Sequence, residues 1–586
     1  MPGLDQNGWA NAYYSAAVQA ASRSWTSFWF ASADMGDFVS IDKPPLSIWA
    51  MALSARIFGF NAWSMLIPES LMGVGTVLLV YAICRSFLPS VYALFGGAAV
   101  AVMPVATLMF RYNNPDALLV LLMTICAWSS LRMLRKPSFR WSLLVGASVG
   151  LGFMTKQLQV FLIVPAAALC LLGSVRLSWP AKIKHAATAA AAALVTGVTW
   201  FVAVSLVPSG SRPYIGGSRT NSIWELTLGY NGLDRLTGQD AVRTTGSPTG
   251  EGAPATGFIR FIYPNYAGQV SWLLPLVLVA TACMLVMVFR RNARSVPAPV
   301  VFAALWWWTS VPILAYMGGI VHPYYSLVIV PPTAILAAWA MKTGISPGTK
   351  LGTRGLVGAG LLGALLVNIV IMGLYTPGYG QLLSAIIIAG AVACAGVVIN
   401  TPPPTISGAM RGLAVVALLT GPSVWSVATA LTGHAGSSPS AGPSSIIGVL
   451  DSPNSEGLAP SMSPANESVV LGVLPDRDLT SHIQSASESR NWGAATVGGQ
   501  NAALAALASA SPVLPLGGFD GSDPAPTLEV FQHLVAEGRI GGLVLGALPS
   551  GAGAGTESQR IVDWVERHYS GDTYGSLTYY SFTETR

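Results

Sequence analysis

The stretch "RYNNPDALLVLLMTICAWSSLRMLRK", Arg111 to Lys136, decides the fold. A polar cluster ending in Asp116 opens it, an apolar run over 117–134 follows, and Arg132, Arg135 and Lys136 close it. The run approaches the roughly 20 residues that an α-helix needs to cross a bilayer. Eleven further runs of this kind are read at 63–84, 91–110, 141–155, 158–175, 186–207, 270–289, 300–319, 324–341, 355–375, 381–399 and 412–432. The chain is 52% hydrophobic and only 10% charged, and its mean hydropathy is +0.55. A soluble domain carries roughly 25% charged residues. The composition predicts a polytopic α-helical membrane protein of about twelve spans.

The basic residues orient it. Clusters at Arg132–Arg140, Arg176–Lys184, Arg290–Arg294 and Lys342–Arg354, with Arg411, all fall on one side if the twelve spans alternate. The positive-inside rule makes that side cytoplasmic. The opposite, extracytoplasmic side then receives residues 1–62, the "RYNNPD" turn, the long loop 208–268, "GGIVHPYY" and everything after 433. The first 62 residues would begin outside with no span before them, so a first span is expected to be missing. The net charge of +6 is spread over such loop clusters, which does not point to nucleic acid. The five cysteines lie in or beside apolar runs and show neither a disulfide framework nor a metal spacing.

Residues 433–466 are rich in Ser, Pro and Gly and read as a linker. Beyond it, "SVVLGVLP", "PVLPLGG" and "GGLVLGALP" have the look of short buried strands. "TLEVFQHLVAEG" and "SQRIVDWVERHY" carry helical periodicity. Alternating strand and helix predicts a small extracytoplasmic α/β domain over 467–586. The chain therefore divides into a first external segment (1–62), a transmembrane domain (63–432), the linker and this domain.

The charged groups that chemistry could use gather on the outer side. In "SIDKPPLSIWA", Pro44 and Pro45 stiffen Asp42 and Lys43 at a helix start. A carboxylate there can hold a divalent cation or orient a hydroxyl, and an ammonium can pair with a phosphate. The plainer alternative is a helix start with an N-terminal acid and a snorkelling Lys. Asp116, after Arg111, Asn113 and Asn114, is either a helix cap or part of a shared site. Lys156 in "FMTKQLQ" is a turn residue or a phosphate anchor. His322, Tyr324 and Tyr325 in "HPYYSLVIVPP" fit an aromatic belt equally well. In "NGWANAYYSAAVQAASRSW", Tyr14, Val18 and Trp25 predict an amphipathic helix on the outer leaflet, with Asn11 and Tyr14 available to line a site. Asp34 and Asp37 read as loop acids.

Together these pieces resemble the polytopic glycosyltransferases that use polyprenyl-phosphate sugars: the lipid A aminoarabinose transferases, the protein O-mannosyltransferases, and bacterial mannosyltransferases with an extra C-terminal domain. The resemblance rests on Asp42-Lys43-Pro44-Pro45 as the acidic-Lys-Pro-Pro motif, Asp116 in "NNPDALL", the turn "FMTKQLQ" and the Tyr-Tyr of "HPYYSLVIVPP". It implies thirteen spans, in line with twelve plus a missing first one. It implies that Lys43, with Arg111, Lys156, Tyr324 and Tyr325, binds the donor phosphate. Asp42 or Asp116 would serve as base or hold a divalent cation, and Asn11, Tyr14, Asn114 and His322 would line the substrate. The chain departs from the family where an acidic pair leads the first loop: "WANAYYSAA" stands there instead.

The expected activity is transfer of a sugar, mannose first among candidates, from a polyprenyl-phosphate donor to a cell-envelope or protein acceptor at the outer membrane face. The alternative is a transporter or lipid-carrier flippase with a glycan-binding tail. Polar groups gathered on one face, without repeated halves or broken helices, favour the enzyme.

Overall fold

The computed structural model describes residues 3–237, 256–290, 296–318, 321–345, 349–375, 404–443 and 463–585, with 385, 388–390 and 392 between. The chain opens with α1 (Ala12–Arg23) and α2 (Leu46–Phe58). A bundle follows: α3 (Ala62–Arg85), α4 (Ser90–Ala101), α5 (Asp116–Arg135), α6 (Phe139–Lys156), α7 (Val164–Leu172), α8 (Trp179–Leu206), α9 (Leu274–Phe289), α10 (Ala298–Tyr316), α11 (Val330–Ile345), α12 (Leu351–Tyr375) and α13 (Pro404–Leu431). Nine helical stretches among the described residues are long and apolar enough to cross a bilayer. The span expected at 381–399 lies almost wholly outside the described residues. The stretch Pro323–Gly344 is buried throughout, at the bundle's centre. Outer faces stay apolar, with Leu71, Leu78, Leu194, Val195, Leu366 and Val416 exposed. A surface of that kind suits lipid rather than water.

Two expected spans differ in detail. The run 91–110 breaks after Ala101, because Pro104 can only open a new helix; the next one is Pro104–Met109. The pair 141–155 and 158–175 forms a reversal. Gln157 takes a left-handed backbone, φ 48°, a tight 3₁₀ stretch follows over Gln157–Ile163, and α7 returns so that Leu171 packs with Met133 and Leu134, beside Trp141.

Close helix approach comes from small residues. A Cβ on Gly146 of α6 would lie 2.0 Å from the Ala189 carbonyl oxygen of α8. One on Gly150 would lie 2.1 Å from Thr196 Oγ1 and 2.5 Å from the Ala193 carbonyl oxygen. This spacing of four lets the two backbones touch without a side chain between them.

Beyond the bundle lie α14 (Arg477–Ser487), β1 (Ala494–Val497), α15 (Gly499–Ser509), β2 (Val513–Leu516), α16 (Leu528–Ala536), β3 (Gly542–Leu545), α17 (Glu557–His568), β4 (Tyr569–Tyr574) and β5 (Leu577–Thr585). The sheet order is β2-β1-β3-β5-β4. The first three strands are parallel, and the closing hairpin β4–β5 is antiparallel to β3. The expected strand at "SVVLGVLP" is not one. Its first residues belong to a helix, Pro464–Val470, started by the Ser463 cap and Pro464 in the first turn; those signals lie just before the apolar run.

The α/β domain docks on the segment before α3, and this corrects the membrane-surface reading of α1. Ala12 to Ala21 are all buried. Tyr13, Ala17, Val18 and Ala21 pack with Met51, Ala52 and Ala55 of α2, while Ala12 and Ala16 pack with Ala503 and Leu507 of α15. A helix with small residues on both faces is sandwiched rather than floated on lipid. Trp25 begins the next short helix and is exposed. A second anchor is Trp492, whose indole lies against Gly36 and edge-on to Phe38, and whose Nε1 donates to Asp34 Oδ1 at 3.1 Å. Asp34 also accepts from the backbone N–H groups of Gly36, Phe38 and Val39. It is thus an anchor of the docked domain as well as a loop acid.

Two outcomes are expected. Gly146→Leu overpacks the α6–α8 contact and lowers stability by about 1–3 kcal/mol, read as a lower melting temperature of the detergent-purified protein. Burial raises the Asp34 carboxyl from the ordinary 3.8 to about 6, against hydrogen bonds that pull it down. The folded protein thus binds the Asp34 proton more tightly than the unfolded chain does. This contribution, of the order of 3 kcal/mol, is therefore complete below pH 4 and lost as pH rises through 6. Melting temperatures from pH 4 to 7 should show this slope in the wild type, and Asp34→Asn should flatten it.

Candidate active site

Lys43 and Asp42 stand where the prolines put them, with Pro45 immediately before α2. Lys43 Nζ bonds Asp42 Oδ2 at 2.6 Å and the Asp42 carbonyl at 3.2 Å. The pair is buried, and the Lys43 ammonium lies 5.4 Å from the centre of the Tyr230 ring. Asp42 Oδ1 is buried and has no hydrogen-bond partner among the described residues. The backbone here is held from outside: Ser40 N donates to the Tyr214 carbonyl, and Asn231 Nδ2 donates to the Asp42 carbonyl at 2.7 Å.

A second buried pair faces it across a cleft. Asp116 is the first residue of α5 and Lys156 the last of α6. Lys156 Nζ bonds both Asp116 oxygens, at 2.8 and 2.9 Å. The same ammonium sits 4.0 Å from the centre of the Tyr325 ring and 5.4 Å from that of Tyr324. Lys156 is thus neither a snorkelling turn residue nor a surface charge. Desolvating two charges is worthwhile only with geometry this complete.

The cleft between the pairs has a volume of about 340 Å³. Lys43, Lys156 and Tyr325 form its polar end with Asn231 and Gln159, and Leu158, Phe161, Leu162, Pro165, Ile313 and Leu314 make apolar walls. Gln159 Nε2 is a buried donor with no partner among the described residues. Asn231 and Tyr230 were not singled out in the sequence. They come from a π-helical turn, Leu226–Leu233, in the long loop that follows α8. Wide turns of this kind are frequent at functional sites, and the "GYNG" within the loop is the signal that could have found them.

The other expected residues separate into two groups. Tyr14 lies among Asp42, Tyr13, Tyr324 and Tyr325, and burial with these neighbours holds its hydroxyl well above the usual range. Tyr324 donates to the Ser437 carbonyl at 3.3 Å, and His322 stacks on Tyr324 and bonds Ser438 Oγ at 2.9 Å. Asn11 and Asn114 are drawn into a buried amide network. Asn11 Nδ2 donates to Asn114 Oδ1 at 3.1 Å, and Gln500 of the α/β domain donates to Asn11 Oδ1 at 3.0 Å. Arg111 turns away from the cleft lining and donates to the carbonyls of Gly3 and Ala430 at 3.0 and 3.1 Å. It ties the first residues to the end of α13. A divalent cation on Asp42 and Asp116 does not fit this geometry well, since each is engaged by a lysine. No group of three His, Cys, Asp or Glu side chains among the described residues could hold a metal.

Residues 42–201 match the family described as "Dolichyl-phosphate-mannose-protein mannosyltransferase", and residues 479–568 match "Putative mannosyltransferase YkcB-like, C-terminal". Two Bacillus subtilis relatives cover nearly everything. "Putative mannosyltransferase YkcB" is 28% identical over 95% of this chain and 88% of its own. "Putative mannosyltransferase YycA" is 26% identical over 96% and 91%. An undecaprenyl phosphate-alpha-4-amino-4-deoxy-L-arabinose arabinosyl transferase of Pseudomonas aeruginosa is 25% identical over 62% of this chain and 63% of its own. Among solved structures, ArnT from Cupriavidus metallidurans has the same fold. Its undecaprenyl phosphate-bound form gives a TM-score of 0.60 at 15% identity, and its apo form 0.56 at 14%. Each covers 99% of this chain and 95% of the other. Along almost its whole length the chain is similar to these membrane glycosyltransferases, with the YkcB-like C-terminal domain following the bundle.

Proposed function

We propose that this chain transfers a sugar, mannose first among candidates, from a polyprenyl-phosphate carrier to an acceptor hydroxyl at the extracytoplasmic membrane face. The observation that carries the reading is the cleft: two buried lysines at one end of an otherwise apolar channel fit an anionic headgroup on a hydrocarbon chain. The likeness to mannosyltransferases and to a transferase fold solved with undecaprenyl phosphate supports it.

Lys43 and Lys156 hold the phosphate, with Gln159 and Asn231 as added donors, and the apolar walls take the first prenyl units. Asp116 fixes Lys156 through both its oxygens, and Tyr325 covers the same ammonium. The acceptor oxygen attacks the anomeric carbon opposite the phosphate, the bond from that carbon to the phosphate oxygen breaks, and configuration inverts. The leaving phosphate keeps the electron pair, and its growing charge is stabilised by cations already in place. The acceptor proton passes to a carboxylate. Asp42 is the suited one, because its Oδ1 is unengaged while Asp116 has both oxygens on Lys156. The positive-inside rule supports an outward placement, since Arg132 and Arg135 close the helix that Asp116 opens.

Purified protein given labelled polyprenyl-phosphate mannose and membrane acceptor should move label from the carrier. Lys43→Ala should lower kcat/KM about 100-fold or more. No transfer by the wild type, or full transfer by Lys43→Ala, would end the proposal. Arg111→Ala is expected to behave differently. It loses two backbone contacts and about 1–3 kcal/mol of stability, while the KM for the donor changes less than twofold at a temperature where the variant stays folded.

A further inference from the structure

The α/β domain does more than dock beside the site: one of its loops bonds Gly217, which lies next to Asp42. After β2 the chain runs through "GGFDGSD", Gly517 to Asp523, with Gly517, Gly518 and Gly521 all at positive φ. A Cβ on Gly517 would lie 2.4 Å from Gly521 backbone atoms, so the turn depends on glycine there. The loop is fixed internally by Asp523 N donating to the Gly517 carbonyl and by Ser558 Oγ donating to the Gly521 carbonyl. Its tip packs Phe519 edge-on to Tyr13, with ring centres 5.1 Å apart. Asp523 Oδ2 accepts from Gly217 N at 2.7 Å, and Gly217 backs directly on the Asp42 side chain. Asp520 Oδ1 accepts from Ser522 N and Ser522 Oγ.

Four polar side chains thus meet at this junction, Tyr13 and Asp42 from the first segment and Asp520 and Asp523 from the domain, each more than nine-tenths buried. One of their atoms, Asp42 Oδ1, has no hydrogen-bond partner among the described residues, and the Tyr13 hydroxyl has the Asp42 backbone beside it. The Tyr13 hydroxyl is held well above its usual range by burial and then by the charges of Asp42 and Asp523. The Asp520 carboxyl is likewise raised, by burial first and with Asp42 among the causes. The charges of Asp42 and Asp523 thus act on Tyr13, and that of Asp42 on Asp520. An orphaned buried polar atom costs about 1–3 kcal/mol, a cost that a ligand hydroxyl bonded there would remove.

We propose that the loop 517–523 completes the acceptor side of the active site, and that Asp42, Tyr13 and Asp520 bind the hydroxyl groups of a saccharide acceptor, with Phe519 beside them as an apolar face. Asp523 is a positioning residue that acts through Gly217. Carboxylates accept from vicinal hydroxyls, and an aromatic edge suits the C–H face of a sugar ring. The domain thereby supplies acidic groups to a first segment that has no Asp or Glu between Asp5 and Asp34. This inference rests on the transferase reading for its chemistry, though not for its binding site.

The test uses the full chain in detergent and a panel of methyl glycosides as acceptor probes. Binding is read as the shift in melting temperature beyond that given by glycine betaine at equal osmolality. Turnover is read as labelled disaccharide formed from polyprenyl-phosphate mannose. At least one glycoside should give a saturable shift in the wild type, with Asp520→Asn and Tyr13→Phe weakening its half-saturation at least tenfold. The shift caused by undecaprenyl phosphate should stay unchanged in both. Asp520→Ser serves if Asp520→Asn does not fold. No saturable shift with any glycoside, or the same half-saturation in the variants, overturns the proposal. If glycoside binding follows the expected pattern but wild type forms no disaccharide and gains no shift from undecaprenyl phosphate, the transferase reading fails and the saccharide site stands.

Discussion

The buried bond between Lys156 and Asp116 is the constraint on which the site depends. It joins the last residue of one helix to the first residue of another, forty positions earlier in the chain. An apolar bundle can hold such a pair only if both oxygens are used and a ring covers the cation, and both conditions are met here. The pair also explains why the reversal at Gln157 is so tight: the chain must turn just after Lys156 without carrying the ammonium away from Asp116. The strained backbone of a non-glycine residue there is offset by the contacts it preserves. Losing one partner would leave a bare charge in the bundle, at a cost of roughly 3–5 kcal/mol.

From that bond the cleft follows. The turn after Lys156 supplies Leu158, Gln159, Phe161 and Leu162 as one wall. The stiff Asp42-Lys43-Pro44-Pro45 segment supplies the second cation, and the π-turn of the long loop supplies Tyr230 and Asn231 around it. Three segments far apart in sequence thus converge on one small volume. Each is held by a device of its own: an ion pair, a double proline and a wide helical turn.

Much of this was legible in the sequence, for identifiable reasons. Long apolar runs have one stable form in lipid, so the helices of the bundle could be located, although α8 and α13 start well before the expected residues 186 and 412, and Pro44-Pro45 announced the start of its helix. Asp116, Lys156 and Lys43 stood out because charge is scarce in this chain. What escaped was pairing across distance. Nothing local says that Lys156 meets Asp116, or that Arg111 spends its donors on the carbonyls of Gly3 and Ala430. The helix Ala12–Arg23 looked amphipathic because Ala counts weakly in such patterns, yet its alanines are the very faces that two other elements press against. Asp520 and Asp523 were not singled out, since glycine-rich turns commonly carry acids.

The cleft has a lip. Phe161 and Ile313 belong to its lining and are also among the exposed apolar side chains of the bundle, so the opening faces the surface that suits lipid. A carrier using that door arrives by diffusion in two dimensions, and its effective concentration is a mole fraction in the bilayer, not a molarity in water. In the proposed transfer the spent carrier would leave through the same opening, and forward flux would depend on how quickly the surrounding membrane dilutes it, so lipid composition would act on this protein as the solvent does on a soluble one.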